Sequence, residues 1–431
     1  MKFTVERDAL ADAVAWVARA LPTRPVVPVL TGLMLSADAD GEPGQSNEPG
    51  HPSEPGAGYL TLSCFDYEVS ARVRVRADVA QPGTFLVPGR LLVEIVRSLP
   101  QHPVEFGDDS DGVSVTCGDA AFMLTPLPLA DYPELPELPE LAGTADGGAL
   151  AAAIGQVTPA ASRDDTLPML TAVNVELDGK TMTLAATDRY RLAVRDLDWA
   201  PAPGPGDQGK IALLVPARTL SDAARMMSHG TEVRVVLRHG GDRHGGDRHG
   251  GDRRGGDGPG TTPRDGGGAV AAEAMIGFET GERRLTTRLL AGEFVRYRSR
   301  FPEEFGCTVD LPADAFAEAV RRVALVAERG TPVQLTFGPG RVTVAGATQG
   351  QAKAKESVPA DFSGDEPSIA FSPQYLLDGV VAATVAQPGE AAPEAARVRL
   401  RFTSATKPAV ITPVSAVGGE FRYLVVPQRL L

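Results

Sequence analysis

The residues best suited by type to do chemistry crowd into one stretch, "HGGDRHGGDRHGGDRRGGDGPGTTPRDGGG", which begins at His239. His239, His244 and His249 each stand near an aspartate. Imidazole and carboxylate ligate divalent metals, and arginine meets phosphate. That chemistry would suit a metal-dependent hydrolase or a nucleotide-binding protein. The spacing argues against it, because ligands on a glycine-rich segment must be ordered by the metal itself and no compact pair such as His-x-x-x-His occurs. Such a composition buries too little apolar surface to order itself. A polar insertion between two strands is expected at about 239–268, with no metal and no cofactor.

Other catalytic candidates are few. The sequence holds no Gly-x-x-x-x-Gly-Lys-Ser/Thr loop, no Gly-x-Ser-x-Gly elbow and no His-Glu-x-x-His pair. Asp188 in "AATDRYRLAV" has the type of a general base, but a hairpin centre is where aspartate serves the turn itself. More informative are Arg90 and Arg97, seven apart in "VPGRLLVEIVRSL", and Arg218 and Arg225 at the same offsets in "VPARTLSDAARMM". In both stretches the arginines fall opposite the apolar face. Arg321 and Arg322 flank the polar side of a further helix. One such face is usually solvated. Recurrence in register points to a shared surface that meets phosphate without reading sequence.

The elements that position these arginines recur three times. Leu10, Val14 and Val17 have the i, i+4, i+7 spacing of a helical stripe; Leu150, Ile154 and Val157 repeat it, as do Phe316, Val320 and Val323. A second helix follows in each segment, the third being "FSPQYLLDGVVAA", where Gln374 and Val381 replace the arginines. Alternating strands lie between the helices, with hairpin centres at Asp66, Asp188 and Gln349. The chain thus reads as three copies of one α+β unit. The copies cover 1–143, with a polar insertion at about 39–58, then 144–305, which holds the insertion at about 239–268, and 306–431. "DYPELPELPELAG" suits a semi-rigid linker at the first boundary.

The totals are compatible with this plan. The 431 residues are 43% hydrophobic and 23% charged, as in an ordinary globular protein. A formal charge of -13 excludes a uniformly basic exterior, although a basic groove can coexist with an acidic outside. Three scattered cysteines build no disulfide framework or zinc site. "MKFTVERDAL" lacks a signal-peptide apolar region and no apolar run is long enough to span a bilayer, so a cytoplasmic protein without membrane contact is expected. The ending "FRYLVVPQRLL" is unusually apolar for a terminus; residues 421–425 read as a last strand and the rest as exposed binding surface.

Several motifs in this order resemble the bacterial DNA polymerase III β subunit, the replication sliding clamp, particularly of high-GC Gram-positive bacteria. They are "MKFTVER", "SRDDTLPMLTAV", "AATDRYRLAVRDL", "LLAGEFVRYRSRFP" and "YLVVPQRL". The resemblance implies a non-catalytic processivity factor. Two copies would close head-to-tail into a ring with helices inside and antiparallel sheets outside, encircling duplex DNA. It adds Arg24 and Arg163 to Arg90, Arg97, Arg218, Arg225, Arg321 and Arg322 as DNA-facing residues. Phe122 of one copy would meet Leu325 and Val326 of the other.

The resemblance also implies a cleft between the second and third units. There the polymerase III α subunit, the clamp loader and repair polymerases would insert a linear peptide. Its walls would be Thr187, Arg189, Tyr190, Arg191, Leu192, Val295, Ser299, Val426, Pro427, Gln428, Arg429 and Leu430. Val295, Val426 and Gln428 depart from the proline, methionine and aliphatic residue common in the family, and Leu431 extends the usual ending. An alternative reading is therefore a specialised second clamp whose cleft resists a cyclic peptide inhibitor.

Overall fold

In the computed structural model, the described residues are 1–39, 57–203, 210–228, 230–238, 274–327, 330–348, 351–364, 368–385, 396–414 and 420–429. The histidine-aspartate repeat, nearly all of the insertion at 39–58, Gln349, Leu430 and Leu431 lie outside them.

Among the described residues, six α-helices form three pairs: α1 (Arg7–Val17) with α2 (Gly89–Ser98), α3 (Gly147–Val157) with α4 (Ala217–Ala224), and α5 (Ala313–Ala324) with α6 (Pro373–Ala383). Their starts are written locally. Pro88, Pro216 and Pro312 precede α2, α4 and α5, and Pro373 opens α6, positions where a missing N–H costs nothing. Asp146 caps α3 by accepting the Ala149 N–H at 2.8 Å. The stripes read from sequence are buried: Leu10, Val14 and Val17, then Leu150, Ile154 and Val157, then Phe316, Val320 and Val323. Helix α4 stops at Ala224, so Arg225 stands at its C-cap and not inside it.

The strands are antiparallel and belong to sheets of 13, 9 and 4 strands. The two larger sheets cross the unit boundaries. Arg283–Arg288 of the second unit pairs with Val69–Gln81 of the first, and Phe421–Val425 of the third pairs with Arg191–Asp198 of the second. The apolar terminus is thus a central strand as far as Val425. Glu140–Asp146 pairs with Glu232–Arg238, so the second unit's sheet begins a few residues before 144.

The helices are joined across the second boundary too. Gln156 on α3 is buried and donates to the Ala382 carbonyl on α6 at 2.8 Å. Gly379 of α6 faces the Tyr423 ring so closely that an added Cβ would stand 2.5 Å from it. The cysteines are buried without disulfides, and burial pushes the Cys64 thiol up to about 12.

The connection from the second to the third unit is anchored by Glu176, which sits in a strand with its side chain largely buried. Lys210 Nζ and an Arg298 guanidinium nitrogen each lie 2.6 Å from its carboxylate, and the Asn174 amide donates at 3.0 Å. Burial alone would raise its pKa; the hydrogen bonds from Lys210 and Arg298 more than offset that and hold it below the ordinary 4.5. A depressed folded value means that the stabilisation is complete above pH 4.5 and is lost as pH falls through the folded value. Glu176→Gln should therefore melt below the parent protein at neutral pH, with the difference in Tm shrinking below about pH 4. A difference that stays constant across an acid titration would contradict this anchoring.

Candidate functional site

The second boundary is organised by a four-residue turn, residues 188–191. Asp188 Oδ1 accepts the N–H groups of Tyr190 and Arg191, both at 3.0 Å, and Thr187 Oγ1 donates to the Arg191 carbonyl at 2.6 Å. Arg189 has a φ of 81°, in the left-handed region. The first unit repeats the motif: Asp66 Oδ1 accepts the N–H groups of Glu68 and Val69 at 3.0 and 2.7 Å, and Tyr67 has a φ of 73°. Asp188 is thus a turn residue, as its hairpin position suggests.

The turn aims Arg191 across the boundary. Its guanidinium bonds Asp188 at 3.0 Å, pairs with Asp378 on α6, and lies 4.5 Å from the centre of the Tyr375 ring. Burial alone would lower its pKa; Tyr423, Asp378 and Asp188 reverse this and raise it, fixing the charge. The Tyr423 hydroxyl donates to the Tyr375 carbonyl at 2.9 Å. Arg191 therefore works as a tie between units more than as an open wall.

Beside this tie lies an apolar floor. Ala185, Leu192, Val194, Tyr297 and Leu424 are buried together, and Phe294, Phe301 and Val426 pack against them half-buried. The tail is held by its backbone: the Val426 N–H donates to the Tyr190 carbonyl at 2.9 Å and the Gln428 N–H to that of Ala370 at 2.7 Å. Pro427 is half-buried, while Gln428 and Arg429 are exposed. Tyr190 is 53% exposed and stacks on Tyr375, and Val295 is 42% exposed. Arg189 and Ser299 are exposed as well, whereas Thr187 and Leu192 support the walls from beneath. The arrangement is a buried apolar cluster with half-buried aromatic side chains against it and exposed Arg189 and Tyr190 close by in the turn. Sequence reading named neither Tyr375 nor Asp378, and within the segment "EFVRYRSRF" it singled out Val295 and Ser299 and not Phe294, Tyr297 and Phe301; the one signal for Tyr375 and Asp378 is their three-residue spacing on α6.

The arginines proposed to meet phosphate divide. Arg24, Arg90, Arg97, Arg163, Arg218, Arg225 and Arg321 are exposed. Arg322 is exposed but committed, bonding Glu356 at 2.7 and 3.0 Å and Glu318 at 3.1 Å. Arg90 donates to the Pro22 carbonyl at 3.4 Å, holding the loop that carries Arg24. Arg24 and Arg218, from different units, line one cavity.

Two further features lie at sheet edges. Ala120–Leu124, with Phe122 half-buried, ends the 13-stranded sheet, and Ala352–Pro359, next to α5, ends the 4-stranded one. Leu325, just past α5, is 84% exposed, and Val326 is half-buried with its carbonyl accepting from Thr348 at 2.6 Å. Among the described residues no cluster of His, Cys, Asp and Glu could hold a metal, and no helix is long and apolar enough to cross a membrane.

Comparisons with known proteins agree along the whole chain. Family models of the DNA polymerase III beta subunit match in all three parts: the N-terminal domain at 1–41 and 56–136, the central domain at 145–295, and the C-terminal domain at 298–429. The chain is 43% identical to the beta sliding clamp of Streptomyces coelicolor over 436 aligned positions, covering both proteins completely. It is 37% identical to the beta sliding clamp homolog GriR of Streptomyces muensis, covering all of this chain and 99% of that one. Among solved structures, the Bacillus subtilis sliding clamp superposes with a TM-score of 0.78 at 23% identity, covering both chains fully. The Pseudomonas aeruginosa clamp bound to griselimycin gives 0.77 at 24%, also over both chains. With three matching domains in order and a full-length relative at this identity, the chain belongs to the DNA polymerase III beta subunit family, the non-catalytic sliding clamps of DNA replication.

Proposed function

We propose that two copies of this sliding clamp join head-to-tail around duplex DNA in the cytoplasm. In this reading the helix pairs line the hole, and Arg24, Arg90, Arg97, Arg163, Arg218, Arg225 and Arg321 meet phosphates. The observation that carries the reading is the recurrence of exposed arginines in equivalent register on α2 and α4 in a chain of net charge -13. A ring retains DNA by topology, so weak phosphate contacts suffice and base readout is unnecessary. Closure has support at both ends of the molecule. An open sheet edge invites pairing, and the edges at Ala120–Leu124 and Ala352–Pro359 differ in sequence, as a heterologous ring contact requires. Phe122 and the exposed Leu325, with Val326, supply apolar contact there. The units divide near 143 and 305.

The groove at the second boundary is proposed to take linear peptides from the polymerase III α subunit, the clamp loader and repair polymerases. A leucine or phenylalanine anchor buried on its floor contributes ~1.5–3 kcal/mol, which suits exchangeable binding when two anchors act together. A second reading, a specialised clamp with altered inhibitor binding, is favoured by Val295 and Val426. Val426 is compact and β-branched where the family commonly has an adaptable methionine, and Val295 stands where it commonly has a proline.

Charge reversal tests the ring interior. Arg90→Glu with Arg218→Glu should lower loader-dependent retention on circular DNA more than tenfold at moderate salt while the dimer mass is unchanged; equal retention at low salt would remove these residues from the DNA face. Ending the chain at Pro427 should abolish binding of a polymerase-derived peptide and leave the melting temperature within a few degrees. Unfolding of the third unit instead would make the tail a core element. For the specialised reading, a cyclic peptide inhibitor should bind this protein at least tenfold more weakly than it binds the Streptomyces coelicolor clamp. Equal affinity would discard it.

A further inference from the structure

The two junctions inside the chain share one plan and differ at their centres. Strand register fixes the correspondence. At the second junction Arg191 lies opposite Val425 and Ala193 opposite Tyr423; at the first, Val69 lies opposite Thr287 and Ala71 opposite Leu285. Val69 therefore stands where Arg191 stands, and Leu285 where Tyr423 stands. The helices agree. With Leu220 and Leu376 in common register, Thr219 takes the place of Tyr375 and Asp222 that of Asp378. Even Gly379, which makes room for the Tyr423 ring, has Ala223 as its counterpart, as Tyr423 has the smaller Leu285.

The first junction has thus lost a guanidinium and two rings while keeping the aspartate. What remains is a cavity of about 250 Å³ between the end of α1 and α4. At ~30 Å³ per water this is room for about eight waters, enough for a flat heterocycle. Its lining includes Trp16 and Leu285, both buried, with Arg283 5.6 Å from the centre of the Trp16 ring, while Arg19, Arg24 and Arg218 are exposed around it. Two carboxylates also line it, and both are engaged. Asp66 is spent on its turn, and Asp222 lies 3.3 Å from Arg225. Three guanidinium groups around an apolar slot call for an anion with a flat apolar body.

We propose that this cavity binds a nucleotide, with the base inside against Trp16 and Leu285 and the phosphate on Arg19, Arg24 and Arg218. An aromatic platform flanked by cationic groups is how unpaired bases are held. The nucleotide comes either free or as an unpaired residue of single-stranded DNA, since a paired base is not available to enter. Arg24 and Arg218 are shared with the proposed duplex-facing surface, so a duplex is measured separately.

The full-length dimer is titrated with labelled oligothymidylate, with the same strand as a duplex, and with dTMP and dAMP as competitors. Rebuilding the second junction's rings by Thr219→Tyr, Ala223→Gly and Leu285→Tyr should weaken single-strand binding ~10-fold, as loss of one stacked base does, and leave duplex binding within about twofold. Thr219→Tyr alone, a smaller change, should weaken it in the same direction. Competition by dTMP or dAMP assigns the cavity to free nucleotides as well, and failure of both to compete assigns it to unpaired DNA. Unchanged single-strand affinity in the filled variants, no saturable binding at all, or equal competition by an acidic peptide such as oligoglutamate would overturn the proposal. Loss of duplex binding with single-strand affinity unchanged would likewise overturn it, placing these residues on the duplex-facing surface alone.

Discussion

The architecture depends on backbone pairing that ignores the unit boundaries. Because Arg283–Arg288 completes the first unit's sheet and Phe421–Val425 completes the second's, each unit is fixed to the next by strand hydrogen bonds as well as by side chains. That pairing keeps the three helix pairs in one succession. It also carries the apolar tail to the turn that holds Arg191. Without it the helix pairs would have no common frame, and Leu424 would not join Leu192 and Val194 beneath the proposed groove.

On this common frame the two boundaries have taken different roles. At the second, a charge is buried between Asp188 and Asp378 under the Tyr375 ring, and such a paired charge fixes geometry more than it adds stability. The reward is a rigid rim for the groove. At the first boundary the connection contributes Tyr132, whose hydroxyl accepts the Phe65 N–H at 2.7 Å, so part of the corresponding surface is already covered. Charge pairs still gather there, Arg283 with Asp12 and Arg288 with Glu68, but on the outside of the joint.

Much of this was legible in the amino-acid order because it is local. Helix stripes at i, i+4, i+7, proline-led helix starts and the aspartate turns at 66 and 188 are each written within a dozen residues, and each appears in the structure. The groove's named walls came through family resemblance; of them the structure joins Leu192 and Val426 to one apolar cluster and Tyr190 to the Val426 N–H. What sequence could not supply was partnership at long range. The pairing of Arg322 with Glu356, which takes that guanidinium out of the free set, joins residues 34 apart that no periodicity links. The tie from Arg191 to Asp378 spans 187 residues and is visible only once the third unit's helix is laid against the second unit's turn.

The contact between Gly379 and the Tyr423 ring has an evolutionary consequence. A methyl group at 379 is forbidden while an aromatic stands at 423, and at the corresponding positions of the first junction the chain carries alanine at 223 and leucine at 285. One chain therefore displays both permitted combinations, glycine with tyrosine and alanine with leucine. Descendants of the ancestral unit could pass between them only by paired substitution or through an underfilled intermediate with glycine and leucine together. That order of events makes the small helix residue the permissive change, and it should leave correlated exchange at these two positions among relatives.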